Sequence, residues 1–110
     1  MKETKWFKNG HGTYTPWGRA QCSEKYATGI VSYSTTGHGG FHLSDGMLAK
    51  MPENIRNWWS GQSHYGQSEN WFEEDCEWAV VALAFPMCFT AFEVECATKT
   101  IKVYYPSFIW

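Results

Sequence analysis

The sequence predicts an α+β domain, with a small antiparallel sheet from the N-terminal half packed against helices from the C-terminal half. The first half is rich in Gly, Thr and Ser and has the alternating pattern of short strands, whereas helical spacing dominates the second half. Strands followed by helices are typical of α+β folds. The 110 residues form one domain, 1–110, which is long enough to bury a core without disulfides.

About three strands are expected in the N-terminal half. Residues 17–26 can form the first strand, and residues 29–35 form the second because their side chains alternate between two faces. The link at residues 27–29 is short enough for a hairpin turn. A glycine-containing turn at residues 36–39 then leads to a third strand at residues 40–44.

Two short helices should follow these strands. Ser44 is a good N-cap for a helix that begins at residue 45, because its hydroxyl can accept a hydrogen bond from the first turn. Pro52 suits the first position of a second helix over residues 52–59. The polar residues 60–69 are predicted to form a loop.

A long central helix is predicted over residues 71–85. Asn70 and Glu73 have the spacing of a capping box at its start. Its apolar residues recur at helical spacing, in a stripe made of Phe72, Cys76, Ala79, Val80, Leu83 and Ala84. This stripe indicates that the helix packs on the sheet.

A second long helix is predicted over residues 91–104, after a break at Pro86. Thr90 and Glu93 form another capping-box pair. The residues expected on its buried side are Val94, Ala97, Ile101 and Tyr104. The apolar tail at residues 105–110 should pack back on the domain.

Charge and composition exclude several classes of protein. The net charge is −2 and no basic run is present, which argues against direct nucleic-acid binding. No segment has the apolar length of a signal peptide or a membrane span, so we expect a cytoplasmic protein without membrane contact. Its four cysteines should then be free thiols.

The stretch GHGGFH, residues 37–42, raises the question of a metal site. His38 and His42 would share a face of an extended strand, and Glu73, Asp75 or Cys76 could supply a third ligand. The alternative, which we favour, is a glycine turn without metal. We expect the turn at residues 36–40 to pack closely on the start of the central helix, with His38 bonded to Asp75, Glu74 or nearby backbone.

Several other side chains have a possible functional and a possible structural role. Cys76 or Cys22, with His38 and an acid, could form a nucleophilic site, although the apolar stripe favours a buried structural thiol at Cys76. Trp17 can serve as a ligand platform or, more simply, as a core anchor. Asp75 shares a helical face with two tryptophans and would need a partner if half-buried.

Several short motifs together resemble a family of uncharacterised small domains from phages, plasmids and proteobacterial genomes. The motifs are Pro16-Trp17-Gly18, Ala20-Gln21, Gly29-Ile30, Ser34-Thr35, His38-Gly39-Gly40, Leu43-Ser44, Trp71-Phe72-Glu73-Glu74-Asp75-Cys76 and Tyr105-Pro106. The resemblance covers about residues 12–106. It implies a shared site, structural or functional, formed by His38, Glu73, Glu74, Asp75 and Cys76. The position of His42 often holds another residue in the family, which argues against a two-histidine metal site.

The expected function is that of a small mobile-element protein that binds and inhibits a host protein or complex. This expectation rests on the resemblance, the small size and the excess of Trp and Tyr, and counter-defence of the anti-CRISPR or anti-restriction type fits it. No cofactor is expected. The alternative is a small enzyme whose site centres on His38, with an acid or a thiol from residues 73–76.

The predicted contact patch combines aromatic rings with acidic neighbours. Trp58 and Trp59 are adjacent on a predicted helix, so one of them should be exposed or at the edge of the core, beside the loop at residues 60–69. The residues assigned to the patch are Trp58, Trp59, Tyr65, Glu74 and Glu77. A second group is assigned a structural role, namely Trp17, His38, Gly39, Gly40, Glu73 and Asp75.

Overall fold

The computed structural model describes the backbone of residues 3–6 and, with their side chains, residues 13–64 and 68–108. The strands in this part of the chain are β1 (Glu3–Trp6), β2 (Tyr14–Thr15), β3 (Gly18–Arg19), β4 (Cys22–Ala27), β5 (Ile30–Ser34), β6 (Gly39–Leu43) and β7 (Trp71–Glu73). The helices are α1 (Asp45–Ala49), α2 (Glu53–Ser60), α3 (Trp78–Ala84) and α4 (Ala91–Tyr104), with a 3₁₀ turn at Pro86–Cys88 between the last two. The predicted α+β class is confirmed.

The main sheet is antiparallel and has the strand order β1-β4-β5-β6-β7. Across the described residues it has five strands, more than the three expected, and β2 and β3 form a separate two-stranded hairpin. The expected strand at residues 17–26 is divided between β3 and β4, because the chain turns at Ala20 and Gln21. Ala20 is buried there, and its N–H donates to the carbonyl of Thr13.

The hairpin between β4 and β5 forms where the sequence predicts it. Gly29 has a φ of 87°, a left-handed conformation that residues with a side chain seldom adopt. Its carbonyl accepts a hydrogen bond from the N–H of Ser44, and the Ser44 hydroxyl caps α1 by accepting from the N–H of Met47. The turn therefore connects the sheet to the first helix.

The central helix is shorter than predicted. Residues 71–73 form the edge strand β7, which pairs with β6, and a turn at residues 74–77 precedes α3. Phe72 is fully buried in the core, while its neighbours Trp71 and Glu73 belong to the opposite face of the sheet. Pairing with β6 satisfies backbone groups that burial would otherwise leave unpaired, and this outweighs the local helical spacing.

Helix α4 begins and ends as predicted. The Thr90 side chain accepts from the N–H of Glu93, and the Glu93 side chain accepts from the N–H of Thr90, which completes the capping box. Ala97 and Ile101 are fully buried. The predicted burial of Tyr104 is wrong: its side chain is 60% exposed, because it lies on the side of α4 that lines an open cleft.

The core lies between the inner face of the sheet and the helices. Its fully buried side chains include Ile30, Leu43, Trp59, Phe72, Val80, Val81 and Ile101. Leu83, predicted to be buried, is only partly so. The tail packs back as expected, since Phe108 is buried and its ring centroid lies 4.8 Å from that of Trp58. None of the helices in the described residues has the length and apolar character needed to span a bilayer.

Candidate functional site

An open cleft of about 550 Å³ lies on one side of the molecule. Its lining comes from the β2–β3 hairpin, the turn before β6, the segment at residues 73–76 and the last turn of α4. The described residues that line it are Trp17, His38, Glu73, Asp75, Cys76 and Tyr104. The structure therefore brings together five residues that the sequence had singled out, and adds Tyr104.

The glycines of the GHGG turn allow close packing, as predicted. A Cβ atom on Gly40 would overlap both the carbonyl oxygen of Phe72 and the ring of Trp17. A Cβ on Gly39 would lie 2.6 Å from the carbonyl oxygen of Tyr33. The element against which the turn packs differs from the expected one. The turn packs on β7 and on the β2–β3 hairpin, and not on the start of a helix.

His38 lies at the exposed rim of the cleft. Its Nδ1 atom is 3.8 Å from Oε2 of Glu74, and the side chains of the two residues are 66% and 48% exposed. The N–H of His38 donates to the hydroxyl of Thr35, whose own N–H and hydroxyl donate to the carbonyl of His38. The His38 ring is therefore close to Glu74 but beyond hydrogen-bond distance, and its backbone makes the predicted bonds within the turn.

His42 is not among the described residues that line the cleft with His38. Its ring lies 4.5 Å from the ring of Trp71, centroid to centroid. Burial lowers the pKa of His42, and the opposing effect of the Asp45 charge is smaller. Among the described residues, no three His, Cys, Asp or Glu side chains are placed to hold a metal ion together.

Glu73 is the structural centre of the cleft floor. Its carboxylate accepts from the N–H groups of Asp75 at 2.8 Å, Cys76 at 2.6 Å and Glu77 at 3.0 Å. In return, the carboxylate of the buried Glu77 accepts from the N–H of Glu73 at 3.0 Å. The expected capping box with Asn70 is replaced by this reciprocal arrangement, and Asn70 donates instead to Leu43 and Asp45.

The hydrogen bonds to Glu73 decide its protonation. Burial alone would raise the pKa of Glu73, but the N–H donors of Glu77, Cys76 and Asp75, with the Cys76 thiol, lower it below its ordinary value. Glu73 is thus an ionised cap whose oxygens are already in use. Its geometry matches a structural role more closely than that of an acid catalyst.

Cys76 is a poor nucleophile in this environment. Burial, together with the adjacent Glu73 and Glu77 carboxylates, raises the pKa of its thiol to about 12, against a weaker opposing effect of the Tyr105 hydroxyl. The Cys76 Sγ and Tyr105 Oη atoms are 3.5 Å apart. Cys22, the other thiol considered, begins β4 opposite Ser34. All four cysteines are free.

Asp75 is exposed at the cleft mouth. The expectation of a half-buried carboxylate between two tryptophans assumed a helix at residues 71–77, which the structure does not have. The Asp75 N–H donates to Glu73, whereas its own carboxylate has no hydrogen-bond or ion-pair partner within the described residues. This makes Asp75 the acid in the cleft that is free to meet a ligand.

The contact patch predicted around the tryptophan pair is wrong in two of its members. Trp59 is fully buried, stacks on Phe72 at 4.6 Å and donates its indole N–H to the carbonyl of Glu69. Glu77 is also fully buried. Tyr65 lies outside the described residues, and Glu74 is exposed as predicted.

Trp58 is partly buried and also packs on the core. Its ring makes edge contacts with Tyr105 at 5.3 Å and with Phe108 at 4.8 Å. Its buried indole N–H has no hydrogen-bond partner in the part of the chain that the structure describes. Both adjacent tryptophans therefore reach the core: Trp59 lies beneath the helix, and Trp58 lies against the C-terminal tail. Helical spacing alone did not predict this arrangement.

Tyr104 is the cleft residue that the sequence analysis did not assign to a site. The spacing from Ile101 places it at the edge of the buried stripe, and Pro106 ends the helix just beyond it. The sequence feature that could have indicated a surface role for Tyr104 is its position in the last helical turn before a proline.

The chain belongs to a family of small domains without an assigned activity. The family model described as Domain of unknown function (DUF7007) matches residues 10–109, which is nearly the whole chain. A comparison with curated proteins and with solved structures found no match. The family thus supports the resemblance noted in the sequence to an uncharacterised domain and assigns no chemistry to the cleft.

Proposed function

We propose that this protein binds and inhibits a host protein or protein complex through the mouth of the cleft, without catalysis. The observation that carries the proposal is an open cleft with aromatic and acidic groups at its rim and an unreactive thiol at its floor. The proposal includes an origin in a phage or other mobile element and a role in counter-defence, with a CRISPR effector or restriction enzyme as the type of target.

The rim has the chemistry of a protein contact. Tyr104 is 60% exposed, and Trp17 is partly buried with one side toward the cleft. Tyrosine and tryptophan are enriched at binding hot spots because they offer large contact area at low entropic cost. Glu74 and Asp75 add negative charge beside them, which favours a partner with a basic patch.

A second candidate function is supported by one observation. His38, Asp75 and Cys76, the three residues considered for an enzymatic site, all line the same cleft. An enzyme would need His38 to act on a substrate held there. The protonated thiol and the engaged Glu73 carboxylate leave His38 and Asp75 as the available acid–base pair.

Capture of the partner from a host lysate tests the binding proposal. The double variant Glu74→Lys with Asp75→Lys, and separately Tyr104→Ala, should abolish capture while leaving the melting temperature nearly unchanged, since all three side chains are exposed. Glu95→Lys is the matched control, because Glu95 is an exposed acid about 13 Å from Tyr104 along α4. Unchanged capture by both cleft variants would refute the proposal.

The intact mass of the captured partner distinguishes the enzyme alternative from the binding proposal. We expect the intact mass of the partner to be the same before and after incubation, and His38→Ala to retain inhibition. A mass change in the partner that disappears with His38→Ala would favour the enzyme.

A further inference from the structure

We propose that the cleft receives an arginine side chain of the partner protein, held by the carboxylate of Asp75 and by the rings of Trp17 and Tyr104. This inference rests on the proposed function and names the group that the partner must present. It follows from the charge, the ring content and the hydrogen-bonding state of the residues that line the cleft.

The negative charge of the residues that line the cleft favours a cationic ligand. Glu73 and Asp75 line the cleft, and Glu74 lies beside the lining residue His38, whereas no lysine or arginine is among the described residues that line it. Glu74 is adjacent to His38, and the Glu73 carboxylate accepts three backbone N–H groups. Asp75 alone of these acids has no partner for its carboxylate within the described residues.

The aromatic lining favours a guanidinium group over other cations. A planar guanidinium can stack on a ring face and still donate two parallel hydrogen bonds to one carboxylate, whereas an ammonium acts as a point charge. Trp17 and Tyr104 supply rings from two separate elements, the β2–β3 hairpin and α4. A volume of about 550 Å³ is sufficient for one such side chain.

The cleft floor combines the ionised Glu73 carboxylate with the neutral Cys76 thiol, and the neutral part also fits this occupant. The Cys76 thiol remains protonated because its pKa is raised by burial, and the hydroxyl oxygen of Tyr105 lies 3.5 Å from its sulfur. The stem of an arginine is apolar and packs well against such groups, while its charged end stays with Asp75 at the mouth.

Titration of the ¹⁵N-labelled full chain with short capped peptides tests the inference by NMR. The probe is acetyl-Ala-Arg-Ala-amide, which should produce saturable shifts at the Trp17 indole N–H and at the Asp75 and Cys76 amides. The same peptide with citrulline, a neutral isostere of arginine, should bind about tenfold more weakly. Asp75→Asn should weaken arginine-peptide binding by a similar factor, and Glu95→Gln should leave it unchanged.

Three results would overturn the inference. One is the absence of saturable shifts at the cleft with the arginine peptide, and another is equal binding of the citrulline and arginine peptides. A lysine peptide that binds as tightly as the arginine peptide would also refute it, because the proposal depends on the planar group.

Failure of this inference differs from failure of the proposed function. If the cleft variants lose a lysate partner but no arginine peptide binds, the binding function stands and the arginine is wrong. If the arginine peptide binds at the cleft but no partner is captured and inhibited, the inference about the ligand stands and the inhibitor function is wrong.

Discussion

Glu73 connects strand β7 to the turn before α3 through a single carboxylate. It satisfies three N–H groups in succession, at Asp75, Cys76 and Glu77, which a short helix start would otherwise leave unpaired. The sequence indicated that Glu73 was a cap but placed the start of the central helix too early, at residue 71, whereas α3 begins at Trp78. The Glu73 carboxylate faces the turn at residues 74–77 because β7 pairs with β6, and this pairing cannot be derived from the local sequence.

Replacement of Glu73 by glutamine should destabilise the protein by about 1–3 kcal/mol near neutral pH, since charged acceptors make the stronger hydrogen bonds. The folded-state pKa of Glu73 is lowered, so its stabilisation is present above the ordinary value of 4.5 and is lost as the pH falls through the folded-state value. Urea unfolding of wild type and variant at about pH 7 and about pH 3 checks this. Glu74→Gln, at an exposed acid, is the control. A difference between wild type and Glu73→Gln that is the same at both pH values would contradict the assignment.

Cys76 should be the slowest of the four thiols to alkylate. With a thiol pKa of about 12, only about 10⁻⁴ of it is thiolate at about pH 8, and the side chain is buried. Cys22, Cys88 and Cys96 are each partly exposed. Peptide mass spectrometry after timed iodoacetamide treatment measures the four rates. Labelling of Cys76 as fast as Cys96 would show that the cleft floor is open and the thiol activated.

At the scale of elements, the GHGG turn illustrates what glycine contributes. Gly40→Ala should be strongly destabilising, by several kcal/mol, because the new methyl group would overlap the backbone of β7 and the ring of Trp17. Gly37→Ala is the matched control, since no atom lies within 4 Å of a Cβ there and its φ is not positive. Thermal unfolding compares the two. Equal melting temperatures for these variants would mean that the turn does not pack as described.

The helices and the sheet differ in how much of them could be predicted. Helix α4 and its capping box depend on neighbouring residues, so the sequence predicted their bounds correctly. The helix predicted at residues 71–85 failed because β7 is defined by a partner strand about 30 residues away, at Gly40, Phe41 and His42. The same limit applies to β1 and to the β2–β3 hairpin, whose pairings also cannot be derived from local spacing.

At the scale of the whole molecule, the sequence predicted the group that forms the cleft better than the contact patch. The resemblance to one family grouped His38, Glu73, Glu74, Asp75 and Cys76. All of these except Glu74 line the cleft, together with Trp17 and Tyr104. The patch around Trp58 and Trp59 was inferred from adjacency on a helix. It failed because the core accepts Trp59 and the C-terminal tail covers Trp58.

The four segments that line the cleft are far apart in the chain, from Trp17 to Tyr104. An unfolded chain cannot hold them together, so a ligand of the cleft binds the folded state alone. Linkage then adds about 2.7 kcal/mol to the free energy of unfolding when the ligand is present at a hundred times its dissociation constant. Proteases act mainly on opened chains. Proteolysis of this protein should therefore be slowest in cells that contain its partner. Its half-life in a cell would then depend on whether its target is present.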